Sequence, residues 1–133
     1  MRLTFYFSSK HKPSKIPENN GFNLDEILGC LKSLEDKGQT TYGVIDTSTL
    51  SGADLFDAYI TASAPAILKG RTGYNVSHVF GTRRSKGIFF GREIPALSVY
   101  GEMDQIPTDI YPHRKGQAII TISEFLEMTL NRV

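Results

Sequence analysis

A strongly amphipathic helix stands between two strand-like segments, and this limits the topology open to the chain more than any other feature. The segment FNLDEILGCLKSLEDKG places Leu24, Ile27, Leu28, Leu31 and Leu34 at helical spacing. Asn23 is a good N-cap, Glu26 follows it at capping-box spacing, and Gly38 supplies the stop. Before the helix comes LTFYF (Leu3–Phe7), and after it TTYGVIDTST (Thr40–Thr49). Both are rich in β-branched and aromatic residues and read as strands. One short helix as the crossover between two strands predicts a parallel pair.

The remaining elements follow from similar signals. Ser51 and Asp54 are expected to cap a second helix with Leu55, Phe56, Tyr59 and Ile60 on its apolar side; Pro65 is expected to break it or to start a new one. KGRTGYN reads as a turn, and HVFGTRRSKGIFFG as two short apolar pieces around a basic loop. IPALSVYG reads as a strand, EMDQIP as a turn, and TDIYPHRKG as a short strand or extended loop. ITISEFLEMTL closes the chain as a helix, with Thr121 and Glu124 at capping-box spacing and Ile122, Phe125, Leu126 and Leu130 on one face.

A length of 133 residues suits a single α/β domain spanning 1–133, and 40% hydrophobic with 22% charged residues is a globular balance. The N-terminal MRLTFYFSSKHK has too short an apolar core for a signal peptide, and no apolar run reaches the length of a membrane span. One cysteine, Cys30, allows no intrachain disulfide. A cytoplasmic protein without membrane association is therefore expected. Cys30 flanks the helical stripe with no base beside it in sequence, which favours a buried structural thiol over a reactive one.

The net charge of +1 hides a strong asymmetry. Residues 1–17 carry +4, residues 18–57 carry −6, residues 58–92 carry +6 without one carboxylate, and residues 93–133 carry −3. The acid-free stretch is either a solvated face balanced by the acidic helices or an anion-binding surface. Within it, GTRRSKG offers Arg83, Arg84 and Lys86, whose guanidinium forks and ammonium suit phosphate. Interleaved aromatics would also suit single-stranded nucleic acid, but the sequence pI of about 7.9 is low for a dedicated nucleic-acid binder.

The element order is β-α-β-α followed by β-β-α, and a proline, Pro95, opens the third core strand. In this order, and in the wording of FFGREIPALSVYG and ISEFLEMTL, the chain resembles the thioredoxin-like superfamily. The resemblance covers most of the chain as topology and about twenty residues as wording. It implies an α/β three-layer sandwich, with a mixed central sheet and helices on both faces. It also implies that the loop before Pro95 faces a functional site. Taken alone, the Ile94–Pro95 bond is expected trans, at the first residue of a strand where no ladder bond is lost; the resemblance leaves cis and trans both open. The family's redox pair, Cys-x-x-Cys, belongs after the first strand. Here that region reads SSKHKPSKIPENNGFNLDEI and holds no cysteine, so dithiol–disulfide exchange does not carry over.

No other catalytic pattern is present. His11, His78 and His113 are scattered, and there is no zinc spacing, G-x-S-x-G stretch or Walker loop. No cofactor is expected. Two polar clusters do follow the parallel strands: Ser8 with Ser9, and Asp46, Thr47 and Ser48. Open α/β sheets bind ligands beyond the carboxyl ends of their strands, and Ser51–Gly52 then open a helix whose free N–H groups suit an anion. Turn and cap hydrogen bonds are the simpler use of the same side chains. The expected function is a non-catalytic binding or interaction module, with a protein or a small anionic ligand as its partner. The alternative is an anion-, nucleotide- or nucleic-acid-binding protein that uses residues 69–92.

Overall fold

The structure is a computed structural model that describes residues 1–13, 15, 17–68, 95–115 and 118–132. Strand β1 (Arg2–Phe7) leads through a polar loop and a 3-10 turn (Pro17–Asn19) into helix α1 (Leu24–Asp36). Strand β2 (Thr41–Asp46), a second 3-10 turn (Thr47–Thr49) and helix α2 (Gly52–Leu68) follow. The chain then supplies β3 (Ala96–Tyr100), β4 (Asp109–Tyr111), β5 (His113–Lys115), β6 (Ala118–Ile120) and helix α3 (Ile122–Leu130).

Four strands form one mixed sheet in the order β2-β1-β3-β4. Strands β1 and β2 are parallel, with Leu3 opposite Tyr42 and Phe7 opposite Asp46. This is the pairing that a single-helix crossover requires. Strand β3 runs antiparallel to both β1 and β4, with Tyr6 opposite Ala96 and Leu97 opposite Tyr111. Strands β5 and β6 pair with each other outside that sheet.

The caps of α1 and α3 form as the sequence predicts. Asn23 Oδ1 accepts from Glu26 N at 3.0 Å, and Gly38, at φ +84°, donates to Glu35 O where α1 ends. Thr121 Oγ1 accepts from Glu124 N at 3.1 Å, which caps the helix, and donates to the Glu124 carboxylate at 3.2 Å.

The apolar stripes of these two helices meet one face of the sheet. Leu3, Phe5 and Leu97 pack with Ile27, Leu31, Leu34, Ile122 and Leu126 in one buried cluster. Leu24 and Leu28 are half-buried at its margin. Helix α2 lies against β4. It runs through Pro65 to Leu68, whereas the sequence predicts a break or a new start there. A proline inside a helix removes one N–H donor, and the surrounding turns carry the backbone past it. Ile60, expected on the apolar side, is 49% exposed, whereas Leu55 is half-buried as expected; Phe56 and Tyr59 lie outside the residues whose side chains are described, and Ala62 is wholly buried. Among the described residues no helix is long and apolar enough to cross a membrane.

Candidate functional site

The register of the sheet decides which polar residues meet. Phe7 and Asp46 are the last residues of parallel neighbours, so Ser8–Ser9 and Thr47–Ser48 leave the sheet side by side. The antiparallel register of Tyr6 with Ala96 brings Pro95, which is buried, to that same end. Tyr111 opposite Leu97 brings the cis Tyr111–Pro112 peptide and His113 there as well. One pole of the molecule thus collects Ser8, Ser9, Asp46, Thr47, Ser48 and Pro95. Arg83, Arg84 and Lys86 lie outside the described residues, as does Ile94, whose bond to Pro95 was the subject of the cis or trans expectation.

Asp46 organises this pole. Its Oδ1 accepts from Ser9 N at 3.1 Å, from Ser48 N at 3.1 Å and from the Ser48 hydroxyl at 2.6 Å. The Ser9 and Ser48 hydroxyls are 3.1 Å apart. Thr47, buried, donates its hydroxyl to Phe7 O at 3.1 Å, and Thr49 donates to Asp46 O at 2.7 Å. The two loops that leave the sheet are therefore laced to one another as well as to themselves. Desolvation works to raise the Asp46 pKa, but the hydroxyls and amides of Ser48 and Ser9 outweigh it and hold the carboxyl well below its usual range. Asp46 is a fixed carboxylate, the N-cap of the 3-10 turn and the tie between loops. Ser51 acts as expected for α2, accepting from Asp54 N at 3.2 Å.

Two histidines enter geometry that spacing alone did not reveal. Ser8 Oγ lies 3.0 Å from His11 Nδ1. A Ser–His pair is the start of a nucleophilic constellation, but the third member is engaged elsewhere, because Asp46 bonds Ser9 and Ser48. The second grouping crosses the cis proline. Asp109 Oδ1 is 3.9 Å from His113 Nδ1, Tyr111 donates its hydroxyl to Asp109 Oδ2 at 3.1 Å, and the Tyr111 and His113 rings are 5.0 Å apart. The Asp-x-Tyr-Pro-His run held the signal, since alternate residues of an extended chain share a face.

Cys30 is half-buried where α1 and α3 meet, and burial raises its thiol pKa, with Glu26 and Glu127 adding to the effect. A thiol pushed upward is a poor nucleophile at neutral pH. Among the described residues no group of three or more His, Cys, Asp or Glu side chains is placed to hold a metal ion. Around the pole, Lys10, Lys12 and Lys15 stand exposed on the loop after β1, and Lys15 borders an open cleft with Pro17, Asn19 and Asn20. Compared with protein-family models, with curated proteins and with solved structures, the chain matches none of them.

Proposed function

We propose that the chain is a binding or interaction module on a thioredoxin-like scaffold that performs no dithiol exchange. Three features support the scaffold. A β-α-β unit is followed by a β-β-α unit, the four strands run in the order β2-β1-β3-β4, and the third strand is entered through a proline. Helices α1 and α3 on one side and α2 beside β4 are consistent with a sandwich covered on both faces. The observation that carries the functional reading is the chemistry of the loop after β1. The region between β1 and the start of α1, where the family places its cysteine pair, holds no cysteine; Ser9 at its beginning is closed onto Asp46, while the one thiol sits two turns into α1 with a raised pKa. Such a pole presents hydroxyls, a fixed carboxylate and exposed lysines, which recognise ligands through hydrogen bonds and charge. With one cysteine in the sequence, it offers no pair of thiols for exchange.

Insulin reduction in the presence of dithiothreitol tests this. No rate above the blank is expected from the wild type or from Cys30→Ser. Turnover by the wild type that vanishes in Cys30→Ser overturns the reading and requires a monothiol mechanism. The alternative, binding of an anion, nucleotide or nucleic acid through residues 69–92, is supported by the run of six bases without an acid. A titration of single-stranded and duplex oligonucleotides across salt concentrations separates the two, because phosphate contacts appear as a slope of about −0.7 to −0.9 each.

A further inference from the structure

Along the β4 edge of the sheet, Val99, Thr108, Tyr111, Phe125, Thr129 and Arg132 are among the residues that line a cleft of about 400 Å³ between β4 and α3. It is an open cleft, so a ligand would lie against its wall with one side in water. The wall is aromatic: Tyr111 and Phe125 stack with centroids 4.2 Å apart and 25° between planes, and both rings are half-buried. The polar groups around it are already engaged, with one exception. The Thr108 hydroxyl donates to Val99 O at 3.2 Å and the Thr129 hydroxyl to Phe125 O at 2.8 Å. Asp109, which also borders the cleft, accepts from Ile110 N at 2.8 Å and from the Tyr111 hydroxyl, and lies beside His113. The Arg132 guanidinium makes no hydrogen bond or ion pair with a described residue.

From this we infer that the cleft is a binding site for a small aromatic monocarboxylate, its ring on the Tyr111–Phe125 wall and its carboxylate on Arg132. Among the described residues the Asp109 carboxylate is engaged and the Arg132 guanidinium is not, and this sets the sign of the ligand. A cation would find Asp109 already bonded, whereas an anion finds a fork of donors that matches a carboxylate. The half-buried rings supply the remaining affinity through apolar surface that a flat ligand would remove from water. The site is distinct from the strand-end pole, so it stands or falls independently of the function proposed above.

The test is a titration followed by backbone amide shifts, with 2-naphthoate as the probe and 2-naphthalenemethanol as its uncharged counterpart. Saturable binding of naphthoate below about 1 mM is expected, with shifts at Val99, Tyr111, Phe125 and Thr129. Arg132→Gln, at an exposed position near the end of α3, should weaken naphthoate about tenfold and leave the alcohol unchanged. Shifts confined to Ser8, Ser9 and Asp46, no saturation by about 5 mM, or equal weakening of both probes by Arg132→Gln would each overturn the inference.

Discussion

The two faces of the four-stranded sheet are built from alternate residues of the same strands, yet they differ in kind. One face presents Leu3, Phe5 and Leu97 to α1 and α3, and a cluster of buried apolar side chains fills the space between them. The other carries Thr4, Tyr6, Ala96, Ser98 and Tyr100, with Ile110 opposite Ser98 and buried Ala62 contributed by α2. Tyr6 and Ser98 are as deeply buried as the leucines behind them. Strands with this alternation are expected to leave the polar face in water. Here β1 and β3 are buried on both faces, so one side supplies hydrophobic driving force while the other must satisfy hydroxyls inside the fold. The Tyr6 and Tyr100 hydroxyls lie close enough to influence one another, and the Tyr100 ring lies under the Arg2 guanidinium at 4.9 Å.

The contrast is sharpest between chain neighbours. Leu97 and Ser98 are adjacent, both wholly buried, and face opposite ways. Leu97→Ala should cost about 2–5 kcal/mol in chemical denaturation, because it removes apolar contact and leaves a cavity among rigid neighbours. Leu31→Ala, across the same core, should fall in that range, while Leu28→Ala, at the half-buried margin, should cost less. A loss below about 0.5 kcal/mol at both Leu97 and Leu31 would mean that this face is not the principal core.

Tyr6 gives the intermediate effect, and it depends on pH. Burial, then the neighbouring Tyr100, raises its pKa above the ordinary tyrosine value. Its folded pKa exceeds its unfolded pKa, so the neutral phenol contributes stability that is fully present below the unfolded value of about 10. That contribution is lost as the pH rises from there toward the folded value. Wild-type stability should therefore fall with increasing pH above about 10, and Tyr6→Phe should remove most of the Tyr6 share of that fall. At neutral pH the same substitution should cost about 1 kcal/mol for the lost hydrogen bond. Denaturation midpoints at pH 7, 9 and 10.5 check both statements; a variant whose pH profile is superimposable on the wild type would show that Tyr6 ionises like an exposed phenol.

The legible and illegible parts of the fold divide along the same line. Strands β1 and β2 and helices α1 and α3 could be read because Leu3, Phe5, Ile27, Leu31, Ile122 and Leu126 all serve one apolar core, and a shared core imposes regular periodicity. The start of α2 was readable from Ser51, but its apolar side was misplaced at Ile60, which is exposed, while buried Ala62 carries too little hydropathy signal to be read. The β5–β6 hairpin has three residues per strand, too few for alternation to register. The strand-end pole was read from its serines and Asp46 because loops after parallel strands have a predictable place. The Ser8–His11 contact was missed because it depends on a local loop path that no spacing rule encodes, whereas the Asp109–Tyr111–His113 grouping was carried by the alternation of an extended run and went unread. The open cleft at Arg132 was invisible for a different reason, because it joins residues 99, 108, 125 and 132 only after β3, β4 and α3 have packed.

Ser98→Ala carries the smallest expected effect and tests the comparison most closely. Its hydroxyl is wholly enclosed and makes no hydrogen bond of ordinary geometry, although the Tyr6 hydroxyl lies near enough to feel it. A buried hydroxyl without a good partner has lost its water and regained little, so its removal forfeits almost nothing. The cavity left by a single oxygen is also small. The variant should lie within about 1 kcal/mol of the wild type and on the stabilising side, against the 2–5 kcal/mol expected one residue earlier. If instead Ser98→Ala costs as much as Leu97→Ala, the hydroxyl belongs to a satisfied network with Tyr6 and Tyr100. A double-mutant cycle with Tyr6→Phe then distinguishes the cases: additive losses mean two independent sites, and a coupling energy above about 0.5 kcal/mol means one network. Under that outcome the polar face would contribute specific stability of its own, and the division of labour between the two sides of the sheet would have to be abandoned.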